Sequence, residues 1–288
     1  MTFLKIKTIL DDLEKSGCLK LTLTGGEPTL REDFPEILSC CIQKGFATTL
    51  FTNATHFTPQ VKEAIRERPP FAVECSLYGA SARVHDAITR AEGSFALAFE
   101  NLKWMTARGI RVIVKSVTLS LNLQEIEAIE EACKRLGVIH QPTFRVFPSL
   151  NPARSPERLR IKPKEIKALL RMRMKLPSSP DPPRGEWICN AGREACSISA
   201  DGKVYPCVVL RWECGDLKRT PFRDIWSRSP VLEKIRSYQE EAFLDCFRCK
   251  RRAACHFCPG MGFLEHGDLL RPSKELCRLT RAVSPGRP

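Results

Sequence analysis

Eight cysteines in the last hundred residues are spaced to hold metal. They read Cys189-x6-Cys196-x10-Cys207, then Cys246-x2-Cys249-x5-Cys255-x2-Cys258, then Cys277 after eighteen more residues. Short spacings put several thiolates on one turn of chain, within reach of one metal centre. Tetrahedral zinc takes four such ligands, and a cubane iron–sulfur cluster also takes about four. Thiolate ligation suits either, so both readings stand on spacing alone. Spacing alone would also group Cys246 to Cys258 as one set. His256 sits inside the knuckle and reads as a solvent-facing side chain, because eight thiolates already fill two sites. Cys214 reads as a partly buried thiol. A disulfide framework is disfavoured, because no export signal is seen and four cysteines fall within thirteen residues.

A second set of residues gathers where strands should end. These are Thr24-Gly25-Gly26-Glu27-Pro28, Thr52-Asn53 and Ser76-Leu77-Tyr78-Gly79. The strands themselves are read from β-branched and alternating runs: Leu19–Thr24, Ala47–Thr52, Phe71–Leu77, Ile110–Leu119 and Thr143–Phe147. Helical spacing covers Phe3–Ser16, Asp33–Gln43, Pro59–Arg66, Ser94–Arg108 and Leu123–Leu136, several closed by glycine. Strands alternating with helices imply an α/β fold with a parallel sheet, curved or doubly wound. Ligands would then sit at the carboxyl ends of the strands.

The chain has 288 residues, 43% hydrophobic, with 46 basic against 33 acidic side chains and a net charge of +13. That composition supports a packed core and excludes wholesale disorder. No run of eighteen apolar residues suggests a membrane span, and Met1–Leu10 does not read as a signal peptide, so a cytoplasmic location is expected. Three parts are expected: residues 1–150, a basic Pro-rich linker at 151–188, and a cysteine-rich part at 189–288. Between Arg154 and Arg184 lie ten basic residues against three acidic. The segment reads first as a solvated linker with a helix over Pro163–Lys175. A docking surface for an acidic partner or peptide is the sharper alternative. Nucleic acid is not expected, since interleaved aromatics are absent. Cys196 to Cys207 reads as a β-hairpin turning at Asp201-Gly202. Short helices are read over Pro221–Trp226 and Val231–Tyr238, with the remainder loop-like.

Taken together, these motifs resemble the radical S-adenosylmethionine (SAM) enzymes that carry a C-terminal SPASM domain. The likeness rests on the GGEP run at Gly25-Gly26-Glu27-Pro28 and on Ser76–Ser81, His85-Asp86, Gly93-Ser94-Phe95 and Gly109-Ile110, followed by the eight-cysteine pattern. It implies a partial (β/α)6-type barrel missing its first strand, then a small cysteine-rich domain. It also implies two auxiliary [4Fe–4S] clusters, one on Cys189, Cys196, Cys207 and Cys258 and one on Cys246, Cys249, Cys255 and Cys277. By the same resemblance, Gly25, Gly26, Glu27 and Pro28 meet the amino end of the SAM methionine. Ser76 meets its carboxylate, helped by Arg90, which stands beside Thr89 at the matching position. Thr52 and Asn53 face the ribose. The knuckle has two residues between Cys255 and Cys258, where three are commoner.

The resemblance has one large departure. The family holds its catalytic cluster on a CxxxCxxC triplet, and none occurs in this sequence; Cys18, Cys40 and Cys41 cannot supply one. An N-terminally truncated form, inactive alone and with SAM binding weakened or lost, is therefore expected, and the catalytic residues are not identified. The resemblance implies a peptide or protein substrate, hydrogen abstraction by a 5′-deoxyadenosyl radical, and an electron donor such as flavodoxin or ferredoxin. Sulfatase-maturating relatives carry an aspartate base after the hairpin cysteine. Val208 follows Cys207 here, which argues against formylglycine formation. The alternative is a non-catalytic iron–sulfur or zinc-binding interaction protein.

Overall fold

The computed structural model describes residues 1–149, 151, 155–171 and 189–284. In chain order the elements are α1 (Phe3–Lys15), β1 (Lys20–Leu23), α2 (Phe34–Gln43), β2 (Ala47–Thr52), α3 (Pro59–Glu67), β3 (Ala72–Ser76), α4 (Ala82–Thr89), α5 (Ser94–Thr106), β4 (Val112–Val117), α6 (Ile126–Leu136) and β5 (Ile139–Thr143). Then follow α7 (Pro163–Arg171), β6 (Ser197–Ile198), β7 (Lys203–Tyr205), β8 (Gly215–Asp216), α8 (Phe222–Arg228), α9 (Pro230–Ser237), α10 (Leu244–Phe247), α11 (Pro259–His266) and α12 (Lys274–Val283). The chain packs as two compact units. One is Met1–Thr143 with Pro221–Arg223; the other is Phe144–Thr220 with Asp224–Pro288.

In the first unit β1 to β5 form one all-parallel sheet in sequential order. That order has no reversal point, so the fold is the curved, barrel-like alternative rather than the doubly wound one. Crossovers of one hand all step the same way, which places the helices on a single face. The register shows the consequence. Leu50 pairs with Val73, Thr52 with Cys75, and Cys75 with Val114, and these side chains are buried on the helix face. The opposite, open face carries Thr49, Phe51, Glu74, Ser76, Lys115 and Gln141, and Phe51 is 40% exposed there.

Two local readings need correction. The fifth strand is Ile139–Thr143 and not Thr143–Phe147. The strand takes in His140, Gln141 and Pro142, because β5 is an edge strand, where proline and polar residues are tolerated. Helix α4, Ala82–Thr89, lies in a stretch read only as motif.

In the second unit β6 and β7 pair antiparallel around Asp201-Gly202, as the hairpin reading requires, and β8 adds a third strand. Gly202 takes φ +91°, a conformation that favours glycine. The remainder is not loop-like: α11 and α12 occupy it. Ser273 caps α12 by accepting the Leu276 N–H at 3.1 Å. The described part of the basic segment is also more than a solvated linker. Ile161, Ile166 and Leu169 are buried, and α7 packs on α12. Residues 172–188, which include the end of the expected helix, lie outside the described residues.

Candidate functional site

The GGEP turn follows β1 directly. Gly25 and Gly26 are exposed, and a Cβ added at either would meet no atom within 4 Å. Neither has a positive φ. Nothing inside the protein therefore demands glycine here, and the turn leaves bare backbone open to solvent. That is the cradle a ligand's ammonium group would need.

Glu27 is engaged within the protein. Its Oε1 accepts the Thr29 N–H at 3.2 Å, the Thr29 hydroxyl at 2.7 Å and the Thr52 hydroxyl at 2.7 Å. Its Oε2 accepts the Asn53 N–H at 2.7 Å. A carboxylate has about four acceptor positions, and four donors already meet this one. Glu27 thus braces the end of β1 against the end of β2. Thr52 is buried on the helix face, donates its hydroxyl hydrogen bond to Glu27 and accepts the Ala54 N–H at 2.9 Å. Asn53 is exposed, and its Oδ1 accepts the Thr55 N–H at 2.9 Å.

Ser76 lies on the open face beside Lys115. The loop after it is held from several elements. The Ser116 hydroxyl donates to the Leu77 carbonyl at 2.6 Å, and Asn122 Nδ2 donates to the Tyr78 carbonyl at 2.9 Å. His85 Nδ1 accepts the Tyr78 N–H at 3.1 Å. Glu125 accepts the Ala80 and Ser81 N–H groups at 2.9 and 3.2 Å and the Ser81 hydroxyl at 2.7 Å. Burial pushes the His85 imidazole below its ordinary pKa, against the pull of Asp86, so it stays neutral and able to accept. Arg90 ends α4 in the left-handed region at φ +58°, with its side chain exposed.

The sequence reading missed the polar ladder on the open face. Lys115 Nζ lies 3.0 Å from Glu74 Oε2 and donates to Gln141 Oε1 at 2.5 Å. A lysine inside the apolar run Val112–Val117 was the signal that could have found it. The brace residues Asn122 and Glu125 left no such signal.

The thiols of the second unit fall into two neighbourhoods. Burial raises the Cys246 thiol to about 11, and the charges of Cys277, Cys255 and Cys249 push it the same way. Burial likewise raises Cys277, and Cys255 and Cys249 add to it. In the other neighbourhood burial raises Cys258, whose thiol accepts from the Met261 N–H and feels Cys189 and Cys207. Burial raises Cys189 too, with Cys207 beside it. Cys196 closes a small loop with Cys189, bridged at Ala191 and Ala195. Cys258, though three residues from Cys255, therefore has different thiol neighbours. His256 is half-buried. Cys214 is buried, and burial raises its thiol to about 11. Among the described residues no three His, Cys, Asp or Glu side chains converge tightly enough to hold a single metal ion.

The first unit offers no comparable thiol group. Burial raises Cys41, Cys75 and Cys133 each to about 12, as for inert core thiols. The residues present do not fit a catalytic cluster.

Comparison with known proteins agrees with this two-part picture. Residues 1–136 match the radical SAM superfamily, and residues 189–259 match the iron–sulfur cluster-binding domain termed SPASM. The chain is 26% identical to the AdoMet-dependent heme synthase of Methanosarcina barkeri, over 92% of this chain and 84% of that protein. It is 27% identical to the mycofactocin maturase MftC of Mycolicibacterium smegmatis, over 86% of this chain and 68% of that protein. Streptococcus suis SuiB, solved bound to the precursor peptide SuiA, shares the fold with a TM-score of 0.72 at 15% identity, over 95% of this chain and 68% of that one.

Proposed function

Because the chain belongs to the radical SAM superfamily and carries a SPASM domain behind that unit, we propose that it takes part in radical modification of a peptide or protein. The observation that carries this reading is the pairing, in one chain, of an open GGEP turn at parallel strand ends with two separate thiol neighbourhoods. The likeness to a mycofactocin maturase supports the peptide substrate.

In this reading Gly25, Gly26 and Pro28 present backbone carbonyls to the SAM ammonium. Glu27 holds that turn in place, and Ser76, with Arg90, meets the carboxylate end. Asn53 lies toward the ribose, and Thr52 supports it from behind. Cys189, Cys196, Cys207 and Cys258 hold one auxiliary [4Fe–4S] cluster, and Cys246, Cys249, Cys255 and Cys277 hold the other. Four thiolates in each set would suit a cluster core or a zinc ion alike, and the match to the iron–sulfur cluster-binding domain favours the cluster. When bound, the clusters supply electron storage. A low-potential flavodoxin or ferredoxin is the proposed electron donor. The thiol chemistry suits the cytoplasm, and no described helix is long and apolar enough to cross a membrane. Residues 1–288 alone are expected not to cleave SAM, since no CxxxCxxC triplet occurs among them.

Formylglycine formation remains disfavoured. Val208, beside Cys207, is 68% exposed and has no proton-accepting group. The match to a heme synthase over 92% of this chain favours a second reading, in which the substrate is a haem precursor. Anaerobic reconstitution with iron and sulfide analysis tests the cluster assignment: about eight irons per chain support it, and two zincs without sulfide refute it. Titration calorimetry of candidate precursor peptides and of haem precursors against the reconstituted chain separates the two substrates by which of them binds.

A further inference from the structure

The second unit carries a groove of about 480 Å³ between α7 and α12, within the ~300–1,000 Å³ range of ligand pockets. It is lined by Pro163, Lys167, Lys274, Arg278 and Arg281, among others, and borders Cys277, which the proposed function gives to a cluster. No carboxylate lines it. Lys167, Lys274 and Arg281 are exposed, and among the described residues none of them has a carboxylate partner. The one acid on α12, Glu275, is 3% exposed and is occupied by Arg278, whose Nε and Nη2 donate to it at 2.7 and 2.6 Å. Arg278 also donates to the Ile161 carbonyl at 2.9 Å, tying α12 to the chain just before α7. The groove therefore has a fixed wall and an unneutralised positive lining.

The arrangement of the cations selects the occupant. Lys274 and Arg281 stand at i and i+7 on one helix face, about 10 Å apart along the axis. Cations strung along a line do not converge on one phosphate. They match carboxylates on an extended chain, where same-side residues recur about every 7 Å. The lining has no aromatic side chain on which a base could stack, which disfavours single-stranded nucleic acid.

We propose that the groove between α7 and α12 docks an acidic stretch of the peptide partner. This rests on the peptide-modifying reading and gives it a place of contact on the second unit. The test uses the full, anaerobically reconstituted chain and a fluorescein-labelled twelve-residue peptide of alternating Glu and Ala, followed by anisotropy. The triple variant Lys167→Gln, Lys274→Gln, Arg281→Gln is expected to bind at least tenfold more weakly, with a shallower dependence on salt. The control Lys7→Gln, Lys15→Gln on α1 is expected to bind as wild type. Unchanged melting of the triple variant shows that its fold is intact, since all three side chains are exposed. Equal binding by wild type and triple variant overturns the groove while leaving the peptide reading in place. Failure of every peptide, with binding of a haem precursor instead, overturns the reading itself. Stronger competition by oligo(dT), or by a reduced acidic flavodoxin, than by the unlabelled peptide gives the groove to that partner and overturns the proposal.

Discussion

The Thr52 hydroxyl donates to Glu27 Oε1 at 2.7 Å, so one carboxylate joins the end of β1 to the end of β2. Its other oxygen takes the Asn53 N–H. Replacing Glu27 with Gln turns an amide NH₂ toward at least one of those donors. The expected cost is about 1–3 kcal/mol, as for lost hydrogen bonds to a charged group. Thr52→Val removes the same link from the other side and should cost about 1–2 kcal/mol. Urea denaturation measures both, and midpoints equal to wild type would remove the brace from the account.

Gly26→Ala separates ligand contact from folding. The added Cβ meets nothing in the protein, and the backbone is not in the left-handed region. The variant should melt with wild type. If the turn is the ammonium cradle, its SAM affinity should fall at least tenfold by titration calorimetry. A large drop in melting temperature would show that the glycine serves folding instead.

These two residues also show what the sequence disclosed and what it hid. The GGEP turn, the β2 and β3 strands and the Cys196–Cys207 hairpin were legible because β-branched runs and glycine turns are local signals. Glu27's real partners were not, because Thr52 is distant in sequence and its register fixes the face it points to. The shift of the fifth strand has a similar cause: whether Pro142 fits a strand depends on its being at the sheet edge, which has a free side for it. Helix α12 was hidden by expectation. Ser273, Leu276, Leu279 and Ala282 form a capped amphipathic pattern, but the cysteine-rich surroundings read as loop. The division of the thiols into two neighbourhoods depends on Cys258 folding back toward Cys189 and Cys207, which no spacing rule contains.

Stability should fall on mild acidification, in part through His85. Burial holds the folded imidazole below its ordinary pKa of 6.5. Its contribution is therefore fully present above about pH 6.5 and is lost as the pH falls from there through the lowered folded value. Protonation would also set an N–H against the Tyr78 N–H that Nδ1 now accepts. Unfolding free energies at pH 7.5 and 5.5 should differ more for wild type than for His85→Gln, whose amide oxygen still accepts that N–H. Identical pH slopes in the two proteins would rule His85 out.

Neighbouring cysteines provide the sharpest test of the cluster sets. Cys255 and Cys258 are three residues apart, yet Cys258 has Cys189 and Cys207 near it while Cys255 lies near Cys246 and Cys277. Under the interleaved assignment each single serine variant damages a different cluster. Cys255→Ser and Cys258→Ser should each retain about four of about eight irons, and the double variant should retain almost none. If Cys246 to Cys258 instead formed one set, the double variant would lose no more iron than either single. Iron analysis with electron paramagnetic resonance on the reduced proteins distinguishes the outcomes, because loss of one cluster removes one of two overlapping signals. The double variant decides, since either arrangement predicts partial loss in the singles and only the interleaved one predicts that the losses add.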